Sequence, residues 1–314
     1  MARPLRIEYP GAFYHVTSRG NEHKAIFKNQ KDREKFLSYL ESAVVRYGAV
    51  IHAYCLMSNH YHLLLETPAG NLSRIMRHVN GAYTTYFNVK RGRAGHLFQG
   101  RYKAILVEAD EYATELSRYL HLNPVRAGMI SRPEEHQWSS YRYYIGQGEA
   151  PEWLKTDFLL DYFGGGSVQA KTGYRKFVEA LLENEYDSPL KGVVASTVLG
   201  SPAFVAEVTE RNLGEHWDDR NLPAAKELMP RPTLDEIIAK VEVEAANEKL
   251  LRHISIYCCQ KYSGAKLKEI GERFGISDAA VSQASRRLAL RAGKDQQLKQ
   301  AIDRVSGYFS VVKS

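Results

Sequence analysis

The run Val50-Ile-His-Ala-Tyr-Cys-Leu-Met57, Ser58-Asn59, His60-Tyr-His-Leu-Leu-Leu-Glu66 constrains this chain more than any other stretch. Two segments rich in aromatic and aliphatic residues flank a Ser-Asn pair, which is the chemistry of a tight turn, so the run predicts a β-hairpin. On its second strand residues two apart share a face, about 6.5 to 7 Å from one another, so His60 and His62 converge on one side while Tyr61 and Leu63 pack on the other. A His-x-His triplet is common enough by chance that its setting must carry the argument.

Two neutral imidazoles leave a divalent ion with open positions, which suits a catalytic site better than a closed structural one, and a third protein ligand is expected. The segment Asp110-Glu-Tyr-Ala-Thr-Glu-Leu-Ser-Arg-Tyr-Leu-His-Leu122 reads as a helix with Asp110 as N-cap and Glu111 in the first turn, ended by Asn123-Pro124. Tyr119 and Asn123, four apart, share a face. Asn123 can therefore supply an amide oxygen as third ligand while Tyr119 is held near the ion. His121 is the fallback ligand, although its position two residues from Tyr119 points it to another side of the helix.

Such a site supports attack of the Tyr119 oxygen on a phosphodiester, giving a covalent phosphotyrosine and a free hydroxyl. The intermediate keeps the bond energy, so strand transfer is as accessible as hydrolysis. Two competing readings stand beside it. One is a non-catalytic regulator that binds hairpin or duplex DNA; the other is a metallohydrolase with Tyr119 merely structural.

Downstream of the hairpin, Phe87-Asn-Val-Lys-Arg-Gly-Arg-Ala-Gly-His-Leu-Phe-Gln-Gly-Arg-Tyr-Lys103 carries Lys90, Arg91, Arg93, Arg101 and Lys103, no acids, and interleaved Phe98 and Tyr102. Cations that track phosphates and aromatic faces that stack on bases suit single-stranded nucleic acid. Arg19 and Lys24 are expected to extend that surface. Residues about 146 to 230 read as a helical connector, with helices in Asp157-Phe-Leu-Leu-Asp-Tyr-Phe163, Gly173-Tyr-Arg-Lys-Phe-Val-Glu-Ala-Leu-Leu182 and Ser201-Pro-Ala-Phe-Val-Ala-Glu-Val208. Near the end, Leu267-Lys-Glu-Ile-Gly-Glu-Arg-Phe274, Gly275-Ile-Ser277 and Asp278-Ala-Ala-Val-Ser-Gln-Ala-Ser-Arg-Arg-Leu-Ala-Leu290 have a helix-turn-helix pattern. Burial of Ile270, Phe274, Ile276, Val281 and Leu288 would leave Ser282, Gln283, Arg286 and Arg287 available to DNA.

Charge narrows the partner class. Lys plus Arg exceed Asp plus Glu by 43 to 36 over 314 residues, a net +7 that favours an anionic partner such as nucleic acid. No apolar run is long enough for a membrane span, and Met1-Ala-Arg-Pro-Leu-Arg6 is not followed by a signal-peptide core, so a cytoplasmic protein is expected. Cys55, Cys258 and Cys259 offer neither a disulfide framework nor zinc spacing and read as buried small residues.

Residues 1 to about 145 resemble the REP-associated tyrosine transposases, a branch of the single-tyrosine HUH transposases. The resemblance is carried in order by Pro10-Gly-Ala-Phe-Tyr-His-Val-Thr-Ser-Arg-Gly20, Tyr54-Cys-Leu-Met-Ser-Asn-His-Tyr-His-Leu-Leu64, Gly95-His-Leu-Phe-Gln-Gly-Arg-Tyr102 and Tyr119-Leu-His-Leu-Asn-Pro-Val-Arg-Ala-Gly128. It implies Tyr119 as nucleophile, His60 and His62 as metal ligands, and Asn123 as the polar residue four after the tyrosine. It further implies a ferredoxin-like α+β nuclease domain, an antiparallel sheet with helices on one face, and Mg²⁺ or Mn²⁺ as cofactor. The implied reaction nicks and rejoins single-stranded DNA at REP-like hairpin palindromes through a 5′-phosphotyrosine, by a monomer or a homodimer. Residues about 231 to 314 form the expected all-α extension. Within it, about 232 to 305, including Tyr262-Ser-Gly-Ala-Lys-Leu-Lys-Glu-Ile-Gly271, resemble the duplex-binding domain of the replication initiator DnaA.

Overall fold

A computed structural model describes residues 7–182, 187–213, 232–244, 248–263, 265–293 and 295–311. Parts of the expected connector, 183–186 and 214–230, and residues 1–6 lie outside the described residues. The chain divides into two compact units, Met1–Leu228 and Met229–Ser314.

The first unit is built on a five-stranded sheet of order β2-β3-β1-β4-β5. Its strands are β1 (Ala12–Arg19), β2 (Val50–Leu56), β3 (His60–Thr67), β4 (Lys103–Val107) and β5 (Val198–Leu199). The expected hairpin is present as β2 and β3, turning through Met57-Ser58-Asn59. Helix α1 (Gln30–Tyr47) begins where the Asn29 side chain accepts from the Asp32 amide at 3.1 Å and ends at Gly48, whose φ of 65° closes the last turn. It buries Phe36, Leu40 and Ala43, and α2 (Leu72–Lys90) buries Ile75, Met76, Val79, Tyr83 and Phe87, all at the three- and four-residue spacing of one helix face.

Helices on a single face were expected, but both faces of the sheet are covered. Tyr14, Val16, Tyr61, Leu63 and Leu65 share a core with α1 and α2. Ala53, Leu64 and Val107 share another with Leu116 and Leu120 of α3 (Ala109–Arg126) and with Tyr141, Tyr144 and Tyr174. The reason is visible in β3, where Leu63-Leu64-Leu65 puts leucine on both faces of an inner strand and so requires cover on both. Tyr141 and Tyr144 lie on α4 (Tyr141–Tyr144), followed by α5 (Asp157–Asp161) and α6 (Val168–Glu179), which carries Tyr174. The segment expected as an all-helical connector also contributes β5, which pairs parallel with β4, before α7 (Pro202–Leu213).

Helix α3 differs from expectation at both ends. It starts after Glu108 rather than at Asp110, and the Glu108 carboxylate accepts instead from the Ser201 amide at 2.6 Å and hydroxyl at 3.1 Å. At the other end Asn123-Pro124 does not stop it. Proline lacks the amide that would reach the Leu120 carbonyl, yet the next turn is held by the Ala127 amide on the Asn123 carbonyl at 2.9 Å, and the helix runs to Arg126.

The second unit contains α8 (Leu234–Glu244), α9 (Glu248–Tyr262), α10 (Leu267–Phe274), α11 (Asp278–Ala292) and α12 (Gln296–Val311). Between α10 and α11, Gly275 has φ 64°, and the Ser277 hydroxyl caps α11 by accepting from the Ala280 amide at 3.2 Å. Gly271 is required here, because a Cβ would come within 2.5 Å of the Ile276 carbonyl oxygen. Ile270, Val281 and Leu288 are buried, with Phe274 and Ile276 packed against them. Cys55, Cys258 and Cys259 are free and buried, and burial pushes the Cys258 and Cys259 thiols up to about 12. No described helix is long and apolar enough to cross a membrane.

Candidate active site

Pairing of β1 with β3 sets Arg19 opposite His60 and Thr17 opposite His62. Alternation sends Tyr61 and Leu63 into the core under α1 and α2, leaving both histidines on the α3 side, with ring centroids 5.0 Å apart. The His60 Nδ1 lies 2.7 Å from the Asn59 Oδ1. Because the Asn59 Nδ2 donates to the His23 carbonyl at 3.1 Å, Oδ1 is the acceptor end of that amide. His60 therefore carries its proton on Nδ1 and leaves the Nε2 lone pair free.

His62 is only 6 % exposed, and its Nε2 is buried with no hydrogen-bond partner. Its Nδ1 lies 2.9 Å from Nε2 of His15, and the two rings are nearly parallel, 2° apart, with centroids separated by 5.2 Å. Burial pushes His60 and His15 down to about 4. His62 is pushed well below the ordinary imidazole value, first by burial and then by the neighbouring His15, His60 and Arg19. All three are neutral at pH 7, the state in which an imidazole nitrogen can hold a metal.

Helix α3 brings Tyr119 over this face. Its ring meets His62 edge-on at 5.8 Å and His15 at 6.1 Å, with the Arg126 guanidinium 5.7 Å from the ring centre. The Asn123 Nδ2 donates to the Tyr119 carbonyl at 2.9 Å, which assigns Oδ1 as the end left for other partners. His121 faces away, as its spacing required. Its Nδ1 is 2.7 Å from the Tyr174 hydroxyl and its Nε2 is 2.8 Å from the Ser140 hydroxyl, so neither nitrogen is left for a metal and the fallback ligand is withdrawn. Among the described residues no group of three or more His, Cys, Asp or Glu gathers as a metal cluster. The donor set that fits a divalent ion is two neutral imidazoles with free Nε2 atoms plus an amide oxygen, a set with positions left over for substrate.

The basic and aromatic residues divide into two groups. Arg19 is exposed beside His60, and exposed Lys103 sits in register with Thr17 on the row that also holds His62. Arg101 and Arg93 are exposed as well, Arg93 lying 5.6 Å from the Phe87 ring. The others are corrections. Lys90 pairs with the fully buried Asp32 at 2.9 Å, and Arg91 pairs with the other oxygen of the same carboxylate, so their charge is spent on the α1 start. Phe98 and Tyr102 are 7 and 8 % exposed in the core under α1 and α2 and offer no face for base stacking. Phe98 packs edge-on against Tyr61 at 6.1 Å, closing an apolar layer that would otherwise face water. Lys24 is exposed but paired with Glu22 at 2.6 Å. In the second unit Gln283, Arg286 and Arg287 are exposed and Ser282 is half-buried. Gln283 and Arg287 line a 400 Å³ cleft with Arg252 and Arg291.

Two contributors escaped the sequence reading. His15 lies in a strand that was recognised, but only sheet register brings it to His62. Asn59 was assigned to the turn, and its hold on His60 depends on the His23 carbonyl, presented by a turn in which Glu22 and His23 both have positive φ, 54° and 58°.

The four residues His60, His62, Tyr119 and Asn123 all fall within one known sequence pattern. Residues 9–123 match the family described as Transposase IS200 like. The IS200-like match thus runs from just before β1 to Asn123 on α3. Among solved structures, one described as "Structure of the REP associates tyrosine transposase bound to a REP hairpin" is similar at 16 % identity and a TM-score of 0.41, covering 53 % of this chain and 98 % of that one. No curated protein matches.

Proposed function

We propose that the chain is a DNA transposase, a metal-dependent strand transferase that nicks and rejoins single-stranded DNA at hairpin palindromes through Tyr119. The IS200-like match over residues 9–123 supports the transposase class. The observation that carries the mechanism is the edge-on approach of Tyr119, at 5.8 Å, to a histidine whose buried Nε2 has no partner. His60, His62 and the Asn123 amide oxygen would hold Mg²⁺ or Mn²⁺, which when bound polarises a non-bridging phosphate oxygen.

The Tyr119 Oη forms the new bond to phosphorus and yields its proton to water. The bond from phosphorus to the 3′ oxygen breaks, and that oxygen takes up a proton as a free 3′-hydroxyl, leaving a 5′-phosphotyrosine. Attack by a 3′-hydroxyl on the same phosphorus releases the Tyr119 phenol and restores the diester, so one bond is made for each broken. Arg19, Arg93, Arg101 and Lys103 supply exposed positive charge for the single strand. Duplex contact is assigned to the second unit through Ser282, Gln283, Arg286 and Arg287, a reading supported by its resemblance to the DnaA duplex-binding domain.

The test incubates labelled single-stranded hairpins with wild-type and Tyr119→Phe protein in Mg²⁺ or Mn²⁺ and resolves the products on a denaturing protein gel. A labelled protein band is expected in the wild type only, with hairpin binding retained in both. Binding without a band in the wild type would favour a non-catalytic DNA-binding regulator, and metal-dependent cleavage persisting in Tyr119→Phe would favour a metallohydrolase. Mixing Tyr119→Phe with His62→Ala protein distinguishes a site assembled within one chain from one shared by a homodimer, since only the shared site regains adduct formation.

A further inference from the structure

The two imidazoles assigned to metal are not held in the same way. Asn59 leaves His60 one tautomer, because its own amide orientation is fixed by the His23 carbonyl at 3.1 Å. His62 has no such one-way partner. Its Nδ1 faces another imidazole, Nε2 of His15 at 2.9 Å, and either ring can donate to the other.

The two arrangements carry the same charge and the same number of N–H groups. If His15 donates, its Nε2 proton lies on the shared bond and His62 is protonated at Nε2, where it cannot bind metal. If His62 donates, its proton lies on Nδ1, its Nε2 lone pair is free, and His15 carries its remaining proton on Nδ1. The His15 Nδ1 and the His62 Nε2 are both buried without a partner, so each arrangement leaves one donor and one acceptor unsatisfied. The protein by itself therefore balances the pair, and an occupant at the His62 Nε2 decides it. Metal satisfies that nitrogen in only one of the two arrangements.

We propose that His15 is the positioning residue of the site: by accepting the His62 Nδ1 proton on its own Nε2, it keeps the His62 Nε2 unprotonated and aimed for a divalent cation. The proposal rests on the metal-dependent reading above. The hydrogen bond between the two near-parallel rings, 2° apart with centroids 5.2 Å apart, fixes the His62 ring plane as well as its proton. An outer-sphere partner that sets both typically changes metal affinity about 10- to 100-fold when removed.

The experiment titrates Mn²⁺ into full-length wild-type, His15→Leu and His15→Gln protein by electron paramagnetic resonance, and reads histidine tautomers by long-range ¹H–¹⁵N NMR with and without Mg²⁺. Circular dichroism melts check that each variant is folded. The expected result is His62 protonated at Nδ1 in Mg²⁺-loaded wild type, and Mn²⁺ binding about 10- to 100-fold weaker in His15→Leu with His62 shifted toward the Nε2-protonated form. His15→Gln, whose side-chain oxygen can accept, should recover most of the affinity. Wild-type affinity in folded His15→Leu overturns the proposal, as does an equal loss in Leu and Gln variants with the His62 tautomer unchanged. Should His15→Leu fail to fold, the wild-type spectrum decides, because His62 protonated at Nε2 in the Mg²⁺-loaded protein is incompatible with the proposal. A wild type that binds no Mn²⁺ at all defeats the metal reading itself, and this inference with it.

Discussion

His62 and His121 are both buried histidines above the same face of one sheet, and they differ in how their hydrogen bonds end. His121 sits in a directed chain. The Ser117 hydroxyl donates to the Thr114 carbonyl at 2.7 Å and so accepts from the Tyr174 hydroxyl at 2.8 Å; Tyr174 in turn accepts from His121 Nδ1, which leaves His121 Nε2 to accept from Ser140. Every polar atom of that ring is used, and burial holds it at about 3 as a neutral structural residue. At His62 the accounting stays open, with Nε2 buried and unpartnered. Burial alone therefore does not separate a structural histidine from a functional one. On the proposed reading, what sets His62 apart is an unpartnered nitrogen on a ring that faces Tyr119, since leaving a buried polar atom unsatisfied costs about 1 to 3 kcal/mol.

That contrast is most easily broken at the tyrosines facing each histidine. Tyr119→Phe is expected to abolish the covalent DNA adduct with little change in melting temperature. Tyr174→Phe should keep the adduct and lose about 1 to 3 kcal/mol of stability, because the buried His121 Nδ1–H loses its acceptor. Adduct formation by Tyr119→Phe, or its loss from folded Tyr174→Phe, would reverse the assignment. One step smaller is the histidine exchange. His62→Ala should weaken Mn²⁺ binding at least about 100-fold, beyond the range of an outer-sphere change. His121→Leu should leave Mn²⁺ affinity intact and lose about 2 kcal/mol of stability with its two buried hydrogen bonds, to Tyr174 and Ser140.

Acid sharpens the comparison further. Burial lowers the folded-state values of His15 and His60 to about 4 and of His121 to about 3, whereas the unfolded chain titrates near about 6.5. Below that value the unfolded state binds more protons, so stability is fully present above about pH 6.5 and falls as pH drops toward the folded values. Each such histidine contributes about 1.4 kcal/mol per pH unit over the window. His121→Leu should shallow the acid limb of a urea-midpoint profile by one histidine's share, and an unchanged slope would contradict its burial as a neutral ring. The smallest effect is expected far from the sheet. Arg286→Ala with Arg287→Ala should reduce the salt slope of duplex binding by about 2 and leave hairpin cleavage unchanged, as filter binding against salt would measure.

The basic strip between α2 and β4 shows why part of the site was illegible in the sequence. Alternating cations and aromatics from Phe87 to Lys103 describe a single-strand surface and a half-buried connector equally well. The structure assigned Phe98 and Tyr102 to the core and Lys90 and Arg91 to Asp32, because Asp32 lies 58 residues from Lys90 in sequence and no local pattern announces that pairing. Arg19 and Lys103 stayed exposed beside the histidines because sheet pairing, rather than their neighbours, put them there. The hairpin, the shared face of His60 and His62, the outward turn of His121 and the pairing of α10 with α11 were all readable, since each depends on a period of two or 3.6 residues within a short run.

The sequence by itself determined which atoms could do chemistry here: two imidazoles on alternate positions of a strand, and a phenol four residues before an amide on a helix. Those relations are local, and backbone geometry enforces them wherever the segments lie. Only the tertiary structure decided that α3 crosses the histidine face, that both faces of the sheet are covered, and that His15 from a neighbouring strand shares a proton with His62. These depend on the register of β1 against β3, which joins residues 47 positions apart. Such pairings are selected by burial of the whole apolar set at once, because slipping β1 by one residue would turn Tyr14 and Val16 out of one core and His15 into it.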